Sequence, residues 1–303
     1  MSKLKTSFAG VEFKNPIVAA SGTFGFGKEY SEYYDISKLG GICVSGITAT
    51  KRMGNKPPRI AETPMGMLNS VGLQNPGVDA FIKDELPYLH KFDTIIIANI
   101  SGNTIEEYVE IAEKLDSTNV DILEVNVSCP NVKSGGMQLG VCPESVYNVT
   151  KEVKGHSNIP VMIKLTPNVT SIAEIAKAAE DAGADAISLI NTVLGMRIDI
   201  KTRKPVLHNN VGGLSGPAIF PIAVRMVWQV ANAVKIPIFG MGGVSKGEDA
   251  LEMMMAGANL TGVGTANFTD PYAPLKIIDW LEEYCYNSNI NSINEIVGGV
   301  ELN

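Results

Sequence analysis

The sequence predicts an α/β fold, a single closed parallel (β/α)8 barrel of the TIM type, and three observations carry that expectation. Eight short apolar runs recur along the 303 residues, amphipathic helical patterns separate most of them, and a glycine turn follows each of the last two. Short apolar runs bounded by turn residues are the pattern of strands buried on both faces, and strands alternating with helices build a parallel sheet.

In chain order, the strands are expected at 17–19, 41–44, 94–100, 122–127, 161–165, 186–190, 236–241 and 260–263. Between them, apolar residues recur with a helical period over 106–115, 145–153, 172–182, 221–234 and 247–256. No Ser/Gly-rich linker or block of like charge divides the chain, so residues 1–303 are expected to form one domain. Two connections, 45–78 and 191–217, are long and rich in Gly, Pro and Asn, and a third glycine-rich segment spans about 130–141. Long loops at the C-terminal face of a barrel commonly build its site.

Composition narrows the class of function. Hydrophobic residues make up 45% and charged ones 19%, enough for a large core, and the net charge of −7 argues against nucleic acid or an anionic membrane as partner. The apolar runs are too short to span a bilayer and Met1-Ser2-Lys3-Leu4-Lys5 lacks a signal-peptide core, so the chain is expected in the cytoplasm. Cys43, Cys129, Cys142 and Cys285 lie far apart without a Cys-x-x-Cys pair, and His90, His156 and His208 are scattered. Neither a disulfide framework nor a metal or iron–sulfur site is expected.

The residues that carry chemistry sit at strand ends. Asn126-Val127-Ser128-Cys129-Pro130-Asn131 closes the fourth run and opens a loop carrying Gly135, Gly136 and Gly140. It presents amides, a hydroxyl and one thiol together; a buried cysteine is otherwise a small hydrophobe. Lys164 stands within Val161-Met162-Ile163-Lys164-Leu165. A lysine in an apolar strand needs an anionic or hydrogen-bonding partner, and a structural ion pair, a contact to an anionic cofactor edge or a Schiff base all fit it. Ser21, Asn99 and Asn191-Thr192 occupy other strand ends, and Asn69-Ser70-Val71-Gly72-Leu73-Gln74-Asn75 adds neutral donors and acceptors suited to an imide-like ring. Singly, each such Asn or Gly is an ordinary turn former. Gly240-Met241-Gly242-Gly243 and Gly262-Val263-Gly264-Thr265 follow strands seven and eight, where barrels commonly hold phosphate. The G-x-G-x-x-G fingerprint after an early strand is absent.

Taken together, these motifs resemble the dihydroorotate dehydrogenases, specifically the cytosolic class 1B catalytic subunit, over nearly the whole chain. The landmarks are Ala20-Ser21-Gly22-Thr23-Phe24-Gly25, the stretch from Gly66-Met67 to Pro76-Gly77, the Asn126 to Asn131 motif, Ile190-Asn191-Thr192, Gly212-Gly213-Leu214-Ser215-Gly216-Pro217-Ala218 and the two glycine turns. The resemblance implies FMN at the C-terminal face of the strands, bound by Ser21, Ser45, Gly46, Asn99, Asn126, Lys164, Ile190, Gly216, Gly242, Gly243, Gly264 and Thr265. It implies dihydroorotate or orotate held by Ser45, Asn69, Ser70, Val71, Gly72, Leu73, Asn126, Asn191 and Thr192. Cys129 would take the C5 proton while hydride passes from C6 to flavin N5, with Lys164 stabilising charge on the ring, in de novo pyrimidine synthesis. It further implies a homodimer within a heterotetramer whose partner subunit carries FAD and a [2Fe–2S] cluster and passes electrons to NAD.

One position departs from the family pattern. Where a lysine is usual after strand two, this chain has Val44-Ser45-Gly46-Ile47-Thr48. Ser45 brings no charge, and charge-assisted hydrogen bonds are roughly twice as strong as neutral ones. Lys51 and Arg52 are the cations nearby in sequence. Oxidation of another dihydropyrimidine (uracil- or thymine-type) and a weakly active FMN-binding paralogue therefore stay open beside orotate chemistry, and Lys164 separately leaves a Schiff-base lyase open.

Overall fold

In the computed structural model, which describes residues 2–128 and 139–303, the sheet closes on itself. Eight parallel strands form the barrel: β1 (Ile17–Ala19), β2 (Gly41–Cys43), β3 (Ile95–Ile100), β4 (Ile122–Asn126), β5 (Val161–Lys164), β6 (Ala186–Leu189), β7 (Ile238–Met241) and β8 (Leu260–Val263). Closure comes from β8 pairing with β1, Gly262 opposite Val18. The predicted (β/α)8 barrel is present, and the short apolar runs mark its strands because both faces of each strand are covered. Val18, Cys43, Ile97, Ile122, Met162, Ala186, Phe239 and Leu260 pack together inside the barrel. Their alternating neighbours Ile17, Ile42, Ala98, Leu123, Ile163 and Ile187 pack with the helices outside.

The helices form where the period predicts them, at Ile105–Asp116, Pro143–Gly155, Ile172–Asp181, Phe220–Ala231 and Gly247–Met255. In Ile105–Asp116 the buried stripe is Tyr108, Ile111, Ala112 and Leu115, and the Thr104 side chain caps the start by accepting from the Glu107 amide. Ser171 caps Ile172–Asp181 in the same way, accepting from the Glu174 amide. A further helix, Ala273–Asn287, buries Ile277, Ile278, Leu281 and Cys285.

Other elements lie beyond the sequence reading. Thr6–Phe8 and Val11–Phe13 form a hairpin at the N-terminal end of the barrel. Phe8 and Phe13 meet edge to face, with centroids 6.2 Å apart, and join the interior cluster. The long connections are also not irregular throughout. Ile60–Thr63, Gly66–Asn69, Gly212–Ser215 and Val193–Gly195 make a four-stranded antiparallel sheet, with Met67 opposite Ser215. Ile198–Asp199 and Lys204–Pro205 pair as a small exposed hairpin. Their Gly, Pro and Asn content hides these strands because the period-two signal is short and half-exposed. Among the described residues no helix is long and apolar enough to cross a membrane.

Phe13 is fully buried, whereas Phe268 is 53% exposed. Phe13→Ala is expected to lower unfolding free energy by about 3–5 kcal/mol, as for large core truncations. Phe268→Ala should change it by less than about 0.5 kcal/mol, both read by urea denaturation.

Candidate functional site

Inside the barrel the lower rows are apolar, but the inward positions of β3 to β6 turn polar toward the C-terminal end. Asn99 stands two residues after Ile97, Glu124 after Ile122, Lys164 after Met162 and Ser188 after Ala186, so each shares a face with an interior residue. Strand register sets them side by side: Asn99 is opposite Glu124, Asn126 opposite Lys164, and Ser188 opposite Lys164.

Four strands converge on the Glu124 carboxylate. Oε2 accepts from Asn99 Nδ2 at 2.5 Å and from Cys43 Sγ at 3.0 Å, and Oε1 accepts from Ser188 Oγ at 2.7 Å. Lys164 Nζ lies 3.6 Å from Oε2, with side-chain exposures of 6% and 0%. Lys164 Nζ also donates to Ser21 Oγ at 2.9 Å, and Asn99 Nδ2 reaches the same hydroxyl at 3.4 Å. Burial pushes the Glu124 carboxyl up, but the Lys164 ammonium and the hydrogen bonds from Cys43, Ser188 and Asn99 outweigh it and hold the group below its ordinary value. Burial, then the Glu124 charge, pushes the Cys43 thiol well above its ordinary range, so this thiol stays protonated and donates. Lys164 thus makes the ion pair that the sequence left open.

Around this pair lies a set of neutral amides. Asn126 Oδ1 accepts from the Ser128 amide at 3.1 Å and from Asn191 Nδ2 at 3.4 Å, and its backbone carbonyl accepts from Tyr108 OH at 2.7 Å. The Thr192 amide donates to Asn191 Oδ1 at 2.8 Å. Asn69 Nδ2 donates to the Gly213 carbonyl at 3.5 Å, and Thr192 packs so closely on Gly213 that a Cβ there would lie 2.0 Å from its Oγ1. A Cβ on Gly46 would come within 3.0 Å of both Asn99 Oδ1 and Leu73 Cδ2, so this glycine brings the 69–73 segment against the strand ends. Asn55 braces that segment, donating from Nδ2 to the Ser70 carbonyl at 2.9 Å and from its amide to Val71 at 2.8 Å. Ser70 Oγ is buried with no partner among the described residues. The Ser45 amide donates to Gly25, and Arg52 faces Glu107 at 3.8 Å. Cys129, the expected base, and Gly135 and Gly136 lie outside the described residues.

The other end of the site is built from backbone. Gly216, Gly242 and Gly243 have φ of 99°, 129° and 83°. A Cβ on Gly216 would lie 2.7 Å from Gly66 Cα, on Gly242 2.9 Å from Ala223 Cβ and 3.1 Å from Ile190 Cγ1, and on Gly243 2.8 Å from the Gly216 carbonyl oxygen. Only glycine fits these positions, and such turns leave N–H groups free to face an anion. Thr265 Oγ1 donates to Ser215 Oγ at 2.8 Å and ties the turn after β8 to them. Gly264 has no neighbour closer than 3.8 Å to its added Cβ, so the space above it is open. Gly240 and Gly262 differ: they are packing glycines within β7 and β8, against Met253 and Met241. This donor set, neutral amides and one lysine at one end and a glycine cradle at the other, fits a flavin mononucleotide. A hollow of about 450 Å³ lined by Lys5, Glu12, Lys14 and Asp121 lies at the opposite end of the barrel and receives none of these groups. Among the described residues no three His, Cys, Asp or Glu side chains gather to hold a metal.

Sequence reasoning missed Glu124, Ser188 and Cys43. Their signal was the period of two: Glu124 alternates with Leu123 and Val125 on the face that carries Asn126. Because the folded carboxyl titrates below its ordinary value, Glu124 contributes stability above the unfolded pKa, about 4.3, that is lost as pH falls through the folded value. Urea unfolding of the wild type should therefore weaken on acidification below about pH 4.3, and Glu124→Gln should flatten that dependence while lowering stability near neutrality by about 3–5 kcal/mol.

The family model for dihydroorotate dehydrogenase matches residues 3–285. A protein of Thermoanaerobacter pseudethanolicus described as dihydroorotate dehydrogenase B (NAD(+)), catalytic subunit, is 55% identical over 299 residues, covering 99% of each chain. Relatives of the same description from Alkaliphilus oremlandii and a Geobacillus species are 57% and 53% identical, covering 96% of both chains and 98% and 96% respectively. A match of that extent, on a barrel whose mouth carries these amides and this cradle, has one meaning: the chain belongs to the dihydroorotate dehydrogenase family.

Proposed function

We propose that this chain is an FMN-dependent catalytic subunit that oxidises dihydroorotate to orotate in pyrimidine synthesis, acting as one unit over residues 1–303 in the cytoplasm. The observation that carries the reading is the juxtaposition of the Ser21–Lys164–Glu124 cluster with the Asn126–Asn191–Thr192 amides at the C-terminal mouth of one barrel. When bound, FMN accepts the hydride equivalent that dehydrogenation releases.

The protein's own groups divide the work. Gly216, Gly242, Gly243, Gly264 and Thr265 would hold the phosphate of FMN, and Ser21, Gly46, Asn99, Lys164 and Ile190 would receive its ring, with the Lys164 ammonium supplying positive charge to stabilise the reduced ring. Asn69 to Leu73, with Asn126, Asn191 and Thr192, read the alternating N–H and C=O edge of the pyrimidine. Cys129 takes the proton at C5 as thiolate, and a free thiol titrates near 8.5, so a base of this kind is matched to mildly alkaline conditions. The relatives' description as an NAD(+)-linked catalytic subunit supports a partner. In this reading electrons leave this chain for NAD through a subunit carrying FAD and a [2Fe–2S] cluster, bound to a homodimer of this chain.

Ser45 favours a second reading. The lysine usual there is missing, and Lys164 is already paired with Glu124. A dihydropyrimidine without a carboxylate asks less of such a site. Anaerobic mixing of flavin-loaded protein with dihydroorotate should bleach the flavin; bleaching by dihydrouracil in its place assigns the second reading, and protein that stays colourless with excess FMN refutes both. Ser45→Lys should raise the rate or substrate affinity with dihydroorotate by about thirtyfold to a hundredfold, the equivalent of about 2–3 kcal/mol. No gain in either would mean that position 45 does not limit orotate chemistry.

A further inference from the structure

We propose that Glu124 is a positioning residue that, through its ion pair with Lys164, cancels the charge presented to the flavin ring and holds the cofactor's reduction potential below that of a site with an unpaired lysine. The inference rests on the reading that Lys164 faces bound FMN, and it concerns a residue outside the contacts which that reading assigns to cofactor and substrate.

The geometry points there for three reasons. Glu124 is fully buried, and a buried carboxylate is costly unless paired and hydrogen-bonded. It is met by donors from four other strands: Cys43 of β2, Asn99 of β3, Lys164 of β5 and Ser188 of β6. Bracing alone would not call for a charge, since a neutral amide could accept from the same Asn99 and Ser188 donors. What the carboxylate adds is a negative charge 3.6 Å from Lys164 Nζ, on an ammonium that also donates to Ser21 at 2.9 Å. A lysine without that counter-charge would stabilise an electron-rich reduced ring more strongly. The carboxylate thus offsets part of the ammonium's pull on two incoming electrons. With Ser45 in place of the usual lysine, Lys164 is the ammonium among the predicted ring contacts, so its counter-ion matters more here.

The test measures the midpoint potential of bound FMN by equilibration with a reference dye under reducing titration. In Glu124→Gln the ratio of reduced to oxidised flavin at a fixed potential should rise tenfold or more, about 30 mV for a two-electron couple. Glu124→Asp, which keeps the charge, should stay near the wild type. Ser188→Ala, which strips one neutral donor from the carboxylate and leaves its charge less screened, should shift the ratio the other way by a few fold, and it serves as the readout if Glu124→Gln does not fold. Yellow Glu124→Gln protein with an unchanged potential would overturn the inference while leaving the flavin reading intact. Equal shifts in Glu124→Gln and Glu124→Asp would overturn it as well, because the effect would then be shape and not charge. A wild-type protein that binds no FMN would remove the proposed function and this inference together.

Discussion

A carboxylate and an ammonium share the interior of this barrel, and the rest of the mouth is arranged around keeping them satisfied. Each charge is costly there without the other. Removing one partner of such a pair strands the other in a low-dielectric interior, which typically costs more than the pair itself contributes. That constraint explains why side chains from β2, β3, β5 and β6 converge on one carboxylate, and why the Cys43 thiol, packed in the interior cluster, also serves as a donor.

Below that level the barrel is an ordinary packed core, closed at its N-terminal end by Phe8 and Phe13. Above it, two kinds of recognition are separated in space. Side-chain amides from β4 and from the segment after β6 define one end, and backbone turns at Gly216, Gly242 and Gly243 define the other. This division follows from chemistry: a heterocycle edge asks for directional donors and acceptors, whereas a phosphate is served by main-chain N–H groups that can come close only where no Cβ intervenes.

Much of the fold was legible in the sequence, because strands buried on both faces leave uninterrupted apolar runs and the helices between them keep a regular stripe. The strand-end residues Ser21, Asn99, Asn126 and Lys164 were legible for the same reason, as polar interruptions at the ends of such runs. Glu124 was not: it sits inside its run with no turn signal, and only its partners on other strands make sense of it. The sheet formed by 60–69 and 193–215 also escaped notice, since its pairings join segments some 145 residues apart in sequence, Leu68 with Leu214 for example. Among the glycines, sequence could not separate Gly240 and Gly262, which let helix and strand side chains pack, from Gly242 and Gly243, which adopt a left-handed backbone.

That sheet couples the two excursions from the barrel. Gly66–Asn69 lies directly beside Gly212–Ser215, so the backbone leading to Gly216 and the backbone presenting Asn69 share one ladder. Slipping it by one residue would turn Asn69 to the opposite face. In this chain a change of length is therefore expected to be tolerated at the exposed Ile198–Asp199 and Lys204–Pro205 tip, whereas a deletion in either flanking strand would shift the ladder unless the other strand changed with it. The mouth of this barrel can thus be remodelled there only by paired edits.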